Sequence, residues 1–244
     1  MSTVPGPKTR ATEPLASAAP NRIILQGIPW SLYVRLRQAD DRRKVRMSYW
    51  NGTLELMSPE YIHEQADRRL TQVIVELVTQ RDIPCACAGS TTFRRPGEGD
   101  AEGAGKEPDT CFYFENEPAI RGKSKIDLET DPPPDLAIEV DNTTDSTRKL
   151  PIYAALGVPE VWQYGVNTGE LRFGKLQPDG AYAGIERSEC LPMLTPALVL
   201  EALHLAEGIS ETRWFQKLRE WVRALSDKII ADDARDEPIG PFSL

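Results

Sequence analysis

The segment PPPDLAIEVD at residues 132–141 is the most strand-like stretch of the chain, and the interpretation of the fold starts from it. Side chains alternate along a strand, so Leu136, Ile138 and Val140 share one face while Glu139 stands on the other. An unpaired carboxylate within an apolar strand is costly, since even a neutral polar group costs about 2–7 kcal/mol there. Glu139 is therefore a candidate functional residue.

A second acid, Asp109, directly follows Pro108 and opens a predicted strand at residues 109–114. If this strand and the one at 135–140 are neighbours, Asp109 and Glu139 converge on one spot. Carboxylates held close together repel, raise each other's pKa or bind a hard cation, and Mg²⁺ takes oxygen ligands while keeping several waters. The alternative is that these acids begin strands at the solvent-exposed rim of a sheet.

A hairpin is predicted upstream, with strands at residues 45–50 and 53–57 joined by Asn51-Gly52. Asn-Gly is the preferred type I′ turn because both positions need positive φ. The two-residue turn places Glu55 on the face opposite to its apolar neighbours. The predicted cross-strand pairs are Trp50 with Thr53, Tyr49 with Leu54, and Ser48 with Glu55.

A long amphipathic helix is predicted at residues 59–80, with Ser58 as the N-cap and Pro59 at the first helical position. His63 lies in its first turn, beside the end of the strand that carries Glu55. The apolar stripe of this helix, at spacings of three and four, consists of Ile62, Ala66, Leu70, Val73, Ile74, Leu77 and Val78.

The other predicted elements alternate between helices and strands, as in an α/β or α+β domain. The apolar stretch before His204 is strand-like, and a helix that ends at Gly157 follows the Glu139 strand. The predicted helices cover 30–39, 148–156 and 211–229, and the predicted strands 85–95, 160–164, 170–176 and 182–187.

The chain has 244 residues, which suits one large domain. Residues 1–21 are rich in Pro, Ala, Ser and Thr and are predicted to be a disordered lead-in. A single domain over 22–205 is then followed by a C-terminal helix at 206–230 and an acidic, disordered tail at 231–244. No apolar run approaches the roughly 18 residues of a membrane span, and no signal core is present. We expect no membrane association and a cytoplasmic location.

The net charge of −8, from 29 basic and 37 acidic residues, argues against a protein that coats nucleic acid non-specifically. It does not exclude a nuclease, because a metal site made of carboxylates is itself acidic. The four cysteines have no zinc-knuckle spacing. Phosphate-binding loops are absent too, because Gly105-Lys106 and Gly122-Lys123 lack the upstream glycine of the Walker pattern.

Five segments in this order resemble the PD-(D/E)XK nuclease superfamily, and more closely the bacterial putative restriction endonuclease family. The resemblance covers about residues 30–200. The segments are Trp50 to Pro59, His63-Glu64, Glu107-Pro108-Asp109, Pro133 to Val140, and Tyr153 through Gly157-Val158-Pro159-Glu160-Val161-Trp162.

The resemblance implies an α/β (α+β) restriction endonuclease-like fold, a mixed β-sheet flanked by helices, and a divalent metal site. Asp109 matches the first metal acid of the family and Glu139 the second. Glu55 matches the acid on the hairpin strand, as a further metal ligand, and His63 matches a catalytic histidine at the helix start. The implied cofactor is Mg²⁺, with Mn²⁺ as a substitute.

One position departs from the pattern, since Asp141 replaces the lysine of the E-x-K motif. The family often moves this lysine to the next helix, where Lys149 stands four residues before Tyr153 and shares its helix face. Lys149 is thus the expected catalytic lysine. The alternative is a surface lysine beside Arg148, which would leave a weak or inactive nuclease.

The resemblance thus implies a Mg²⁺-dependent endodeoxyribonuclease with DNA as its partner. We expect a homodimer, because cutting both strands of a duplex favours two active sites and the C-terminal helix is rich in aromatic residues. A catalytically inactive domain that binds nucleic acid or a protein is the alternative. A glycoside hydrolase with two carboxylates is a third reading, which the order of the motifs does not favour.

Overall fold

The computed structural model describes residues 22–39, 45–58, 60–97, 103–141 and 148–236, with side chains described through residue 225. The predicted lead-in at 1–21, Pro59 and the end of the predicted tail at 237–244 lie outside the described residues. The strands are β1 (Arg22–Leu25), β2 (Arg46–Trp50), β3 (Thr53–Met57), β4 (Ala86–Cys87), β5 (Phe93–Arg95), β6 (Ala104–Lys106), β7 (Thr110–Tyr113), β8 (Leu136–Asp141), β9 (Glu160–Gly165), β10 (Glu170–Leu176) and β11 (Tyr182–Ile185). The helices are α1 (Trp30–Gln38), α2 (Tyr61–Gln80), α3 (Glu117–Ile120), α4 (Leu150–Leu156), α5 (Pro196–His204) and α6 (Glu211–Asp236).

The first sheet is built around the predicted hairpin and has the strand order β1-β3-β2-β6-β5. Asn51 and Gly52 both adopt positive φ, at 46° and 76°, as the type I′ turn requires. All three predicted cross-strand pairs of the hairpin are confirmed. The same register continues into β6, so that Glu55, Ser48 and Lys106 stand side by side on one face.

The second sheet has the order β11-β10-β9-β8-β7-β4 and is mixed, since β8 pairs parallel with β9 and antiparallel with β7. Thr110 lies opposite Ile138, so Asp109, one residue earlier, comes to the level of Glu139. The predicted α+β class with a mixed sheet and flanking helices is confirmed. The strands divide into two sheets, whereas one sheet was predicted.

The two faces of β8 are divided as its alternation predicts. Leu136, Ile138 and Val140 join the larger core cluster, in which α2, α5 and α6 cover one face of the second sheet. Ala137 and Tyr153 belong to another cluster, where α4 packs against the first sheet. Glu139 therefore points toward the junction between the two sheets rather than into the larger core.

Several predicted boundaries are wrong for identifiable reasons. The predicted strand at 85–95 is two strands, β4 and β5, which belong to different sheets and are separated by Gly89 with φ of +51°. The strand-like stretch before His204 is the helix α5, whose start is capped by the Thr195 side chain. Helix α2 begins at Tyr61 after Glu60, so Ser58 is not its N-cap. Helix α6 continues to Asp236, past the predicted boundary.

Within the described residues, no helix combines the length and apolar character that a membrane crossing would need.

Candidate active site

Glu139 lies in the middle of β8 and is only 1 % exposed. Its carboxylate is compensated by two lysines, with Lys106 Nζ 2.9 Å from Oε1 and Lys149 Nζ 2.6 Å from Oε2. The Tyr153 hydroxyl also donates a hydrogen bond to Oε1. Burial alone would raise the pKa of Glu139, but the two ammonium groups outweigh it and hold the pKa below its usual value. Glu139 is therefore ionised at neutral pH.

Lys149 directly precedes α4 and is 4 % exposed, so the alternative of a surface lysine does not hold. It donates to Glu139 and also to Asp141 Oδ1, at 2.9 Å. Burial would lower the pKa of Lys149, but the two carboxylates outweigh burial and raise it. The side chain is thus a fixed ammonium, suited to stabilising negative charge rather than to accepting a proton. The structure brings it to the acids as expected, and its catalytic role stays a prediction.

Asp109 is buried at the start of β7, next to β8 as the strand-pairing argument expected. Its Oδ2 accepts a hydrogen bond from the backbone N–H of Val140 at 2.6 Å, one residue beyond Glu139. Arg46, from β2, forms an ion pair with the other carboxylate oxygen. Asp109 is therefore anchored on both β8 and the first sheet, inside the protein rather than at the rim.

His63 lies in the first turn of α2, with Nε2 3.3 Å from Asp109 Oδ2. Burial and the Arg46 guanidinium lower the pKa of this imidazole, against smaller opposing effects of Glu139 and of the Val140 backbone. Neither ring nitrogen makes a well-aligned hydrogen bond with the described residues. A neutral imidazole therefore stands beside Asp109.

Glu55 is placed differently from the other predicted site residues. Its Oε2 forms an ion pair with Arg22, at 2.7 Å. It lines a pocket together with Lys149, whereas Asp109 lines a separate cleft. Asp109, Glu139, His63 and Lys149 thus form one connected group, and Glu55 stands next to it on the Lys149 side. A role for Glu55 as a metal ligand stays a prediction.

Three further residues complete the group and were missed by sequence reasoning. Lys106 was considered only as part of a Gly-Lys pair. Burial and nearby Lys149 lower its pKa, which Glu139 opposes. Tyr153 was singled out only as a motif residue, and Arg46 was given no role in the site. Nothing in their spacing predicts their carboxylate partners.

The donor set of Asp109, Glu139 and His63, two carboxylates and a neutral imidazole, suits a divalent cation such as Mg²⁺ or Mn²⁺. The buried imidazole of His63 lies beside Asp109 without a well-aligned hydrogen bond among the described residues, and this feature is compatible with a cation at this position. Among the described side chains, no three His, Cys, Asp or Glu residues are already gathered at metal-binding distances. A cation would have to compete with Arg46 for Asp109.

A cleft of about 570 Å³ gives access to Asp109 from solvent. Arg46, Asp67, Arg68 and Phe215 are among the residues that line it. The cleft carries charges of both signs, so it provides a polar path from the surface to the Asp109 carboxylate.

Known proteins provide an independent comparison for this arrangement. A profile of the Uma2 family, described as "Putative restriction endonuclease", matches residues 30–207. The chain is similar to a crystal structure described as a putative nuclease belonging to DUF820 from Anabaena variabilis ATCC 29413, at 15% identity and a TM-score of 0.48. That comparison covers 80% of this chain and 99% of the other. No match was found among curated proteins.

The family profile spans well over half of the chain and includes every residue of the buried group, from Arg46 on β2 to Tyr153 on α4. Its range also agrees with the extent of the resemblance seen in the sequence motifs. On this evidence, the chain belongs to the Uma2 putative restriction endonuclease family.

Proposed function

We propose that the protein is a Mg²⁺- or Mn²⁺-dependent endodeoxyribonuclease that hydrolyses phosphodiester bonds in DNA. The observation that carries the proposal is the contact of Lys149 Nζ with Glu139 Oε2, at 2.6 Å, on the strand next to Asp109. Two acids on neighbouring strands can hold a divalent cation, and a lysine just before the following helix can stabilise developing negative charge. Membership of a family described as endonucleases supports the same reaction.

Asp109, Glu139 and His63 would hold the cation, which would polarise the phosphodiester and lower the pKa of a water molecule. Lys149 stays protonated, so its ammonium can donate a hydrogen bond to an oxygen on which negative charge develops. Tyr153 and Lys106 hold the Glu139 carboxylate in one orientation. These contacts fix the acid before substrate arrives, which is how preorganised charge contributes to catalysis.

The experiment that tests this function combines metal binding and DNA cleavage in matched variants. Asp109→Asn and Glu139→Gln should each abolish Mn²⁺ binding by calorimetry and cleavage of plasmid DNA, because each removes a carboxylate ligand. Asp179→Asn, at an exposed turn, is the matched control and should keep both activities. Circular dichroism should report the same fold in all three variants. Unchanged Mn²⁺ affinity in both site variants would exclude the site assignment.

A non-catalytic domain that binds nucleic acid or a partner protein is the second candidate. Asp141 at the usual lysine position favours it, as does the cationic partner that each of the two acids already has. This candidate predicts DNA binding by the wild type without cleavage at any Mg²⁺ or Mn²⁺ concentration.

A further inference from the structure

Asp67 on α2 is a buried acid to which the proposed function assigns no role. It is 9 % exposed, and its Oδ1 atom has no hydrogen-bond partner among the described residues. Its side chain also forms no ion pair within the part of the chain that the structure describes. Buried polar groups without a partner are rare in proteins, and a bound ion or water molecule is one of the usual reasons for them. Asp67 therefore points to a ligand.

Asp67 lies on the side of α2 that adjoins the proposed metal site. It stands one turn after His63, and positions four apart share a helix face. His63 Nε2 is in turn 3.3 Å from Asp109 Oδ2, and Asp67 and Asp109 line the same cleft of about 570 Å³. Burial raises the pKa of Asp67 to about 6, and the charges of Arg46 and Glu139 also act on it, so Asp67 is within electrostatic reach of the buried group.

The charges that line this cleft favour a cation. Its lining residues include four acids and two arginines, namely Glu64, Asp67, Asp109 and Glu211 with Arg46 and Arg68. Arg46 contacts two of these acids, Glu64 and Asp109. Asp67 is thus the buried acid of the cleft that has no cationic partner among the described residues. The lining carries an excess of negative charge that one divalent cation would balance.

Contact through water suits this arrangement better than direct binding. Among the described residues, no three His, Cys, Asp or Glu side chains are gathered closely enough to bind one ion directly. Mg²⁺ usually keeps several of its waters, and acids beyond the direct ligands commonly hold such sites in place. A water molecule takes up about 30 Å³ in the liquid, so the cleft has room for an ion with its waters.

We propose that Asp67 is an outer ligand of the divalent cation at Asp109 and that its carboxylate accepts a hydrogen bond from the cation's water of hydration. The inference rests on the metal site of the proposed function and adds a residue of α2 to it. It also supplies the partner that the Asp67 carboxylate lacks among the described residues.

The experiment measures Mn²⁺ binding by calorimetry at pH 7.5 without DNA, so that cleavage plays no part. Asp67→Asn is the test variant, because the amide has the same shape and no charge. Glu211→Gln is the matched control, since it removes an exposed carboxylate from the wall of the same cleft. Electron paramagnetic resonance of the bound Mn²⁺ is a second readout that depends on the surroundings of the ion, and circular dichroism checks the fold of each variant.

Asp67→Asn should bind Mn²⁺ about 10- to 100-fold more weakly than the wild type, the usual effect of losing an outer ligand. Its Mn²⁺ spectrum should change, while Glu211→Gln keeps the affinity and the spectrum of the wild type. Unchanged affinity in Asp67→Asn would overturn the inference, and a loss of binding in Asp109→Asn would then still support the proposed site. An equal loss in Glu211→Gln would also overturn it, because binding would then follow only the total charge of the cleft. The expected pattern in a protein that never cleaves DNA would reject the nuclease function and leave the role of Asp67 intact.

Discussion

At the scale of single residues, the buried acids differ in how well they are compensated. Glu139 has two lysines and a tyrosine, whereas Asp67, one turn after His63 on α2, has a buried carboxylate oxygen that lacks a hydrogen bond among the described residues. Asp67 is 9 % exposed, and burial raises its pKa to about 6, against the opposing effect of Arg46. Its charge is therefore unfavourable to the fold at neutral pH.

This difference predicts a pH-dependent effect of Asp67→Asn. Asp67 has a higher pKa in the folded state than the unfolded value, so the folded state binds the proton more tightly and the free energy of unfolding falls as pH rises from about 4 to 6. The isosteric amide removes this loss. Urea unfolding in EDTA should show the variant more stable by about 2 kcal/mol at pH 7.5 and no more stable at pH 4. A gain of equal size at both pH values would contradict the explanation.

Lys149→Gln tests the role of the ammonium. Removal of one preorganised donor should lower the cleavage rate by about 10²-fold or more, while Mn²⁺ affinity does not fall, because an ammonium is not a metal ligand. Lys175→Gln, which removes an exposed ion pair with Glu189, is the matched control. A rate within a few-fold of the wild type would exclude a catalytic role for Lys149 and place it among the structural residues.

The candidate site could be predicted from sequence only in part. Asp109 and Glu139 follow from strand alternation and the proline before the first acid, because both are local signals. The partners Arg46 and Lys106 could not be found in this way, since they come from the first sheet, and the contact between sheets has no local pattern. A buried lysine in a short strand of small residues looks the same in sequence as a lysine in a loop.

At the scale of elements, the position of β6 depends on Gly105, which has no side chain and so allows the strand to lie close to Tyr33. A Cβ on Gly105 would overlap the ring of Tyr33, which is fully buried beneath the first sheet. Gly105→Ala should therefore displace β6, reducing the free energy of unfolding by about 1–3 kcal/mol and also lowering cleavage, since Lys106 is the next residue. In a Tyr33→Ala background the same change should cost much less. Equal costs in both backgrounds, measured by denaturant unfolding, would exclude the overlap as the cause.

Two elements with strong local sequence signals were predicted well, but a third element with such a signal was not. Asn51-Gly52 predicted the hairpin register, and Gly157, with φ of +82°, ends α4 as expected of a C′ residue. The helix α5 has an equally good start signal in Thr195-Pro196. Its continuous apolar run nevertheless looked strand-like, because periodicity does not separate a short buried helix from a strand.

At the scale of the whole molecule, the expected homodimer stays a prediction. The aromatic residues of α6 support it less than the sequence suggested, because most of them pack inside the protein. Trp214, Leu218 and Val222 are buried in the protein's own core, and Phe215 is 39% exposed. We expect light scattering at micromolar concentration to report a dimer, because cutting both strands of a duplex favours two sites. A strict monomer would reject the dimer.

The division into two sheets has a consequence for how ionic strength should act on this protein. The ion pairs among Lys106, Glu139 and Lys149 sit at the junction of the sheets, where dissolved ions cannot screen them. A DNA strand held by surface cations, by contrast, loses affinity steeply as salt rises. Added salt should therefore raise the KM for DNA while leaving kcat nearly constant. Concentrated salt would then weaken DNA binding without changing the arrangement of charges in the site.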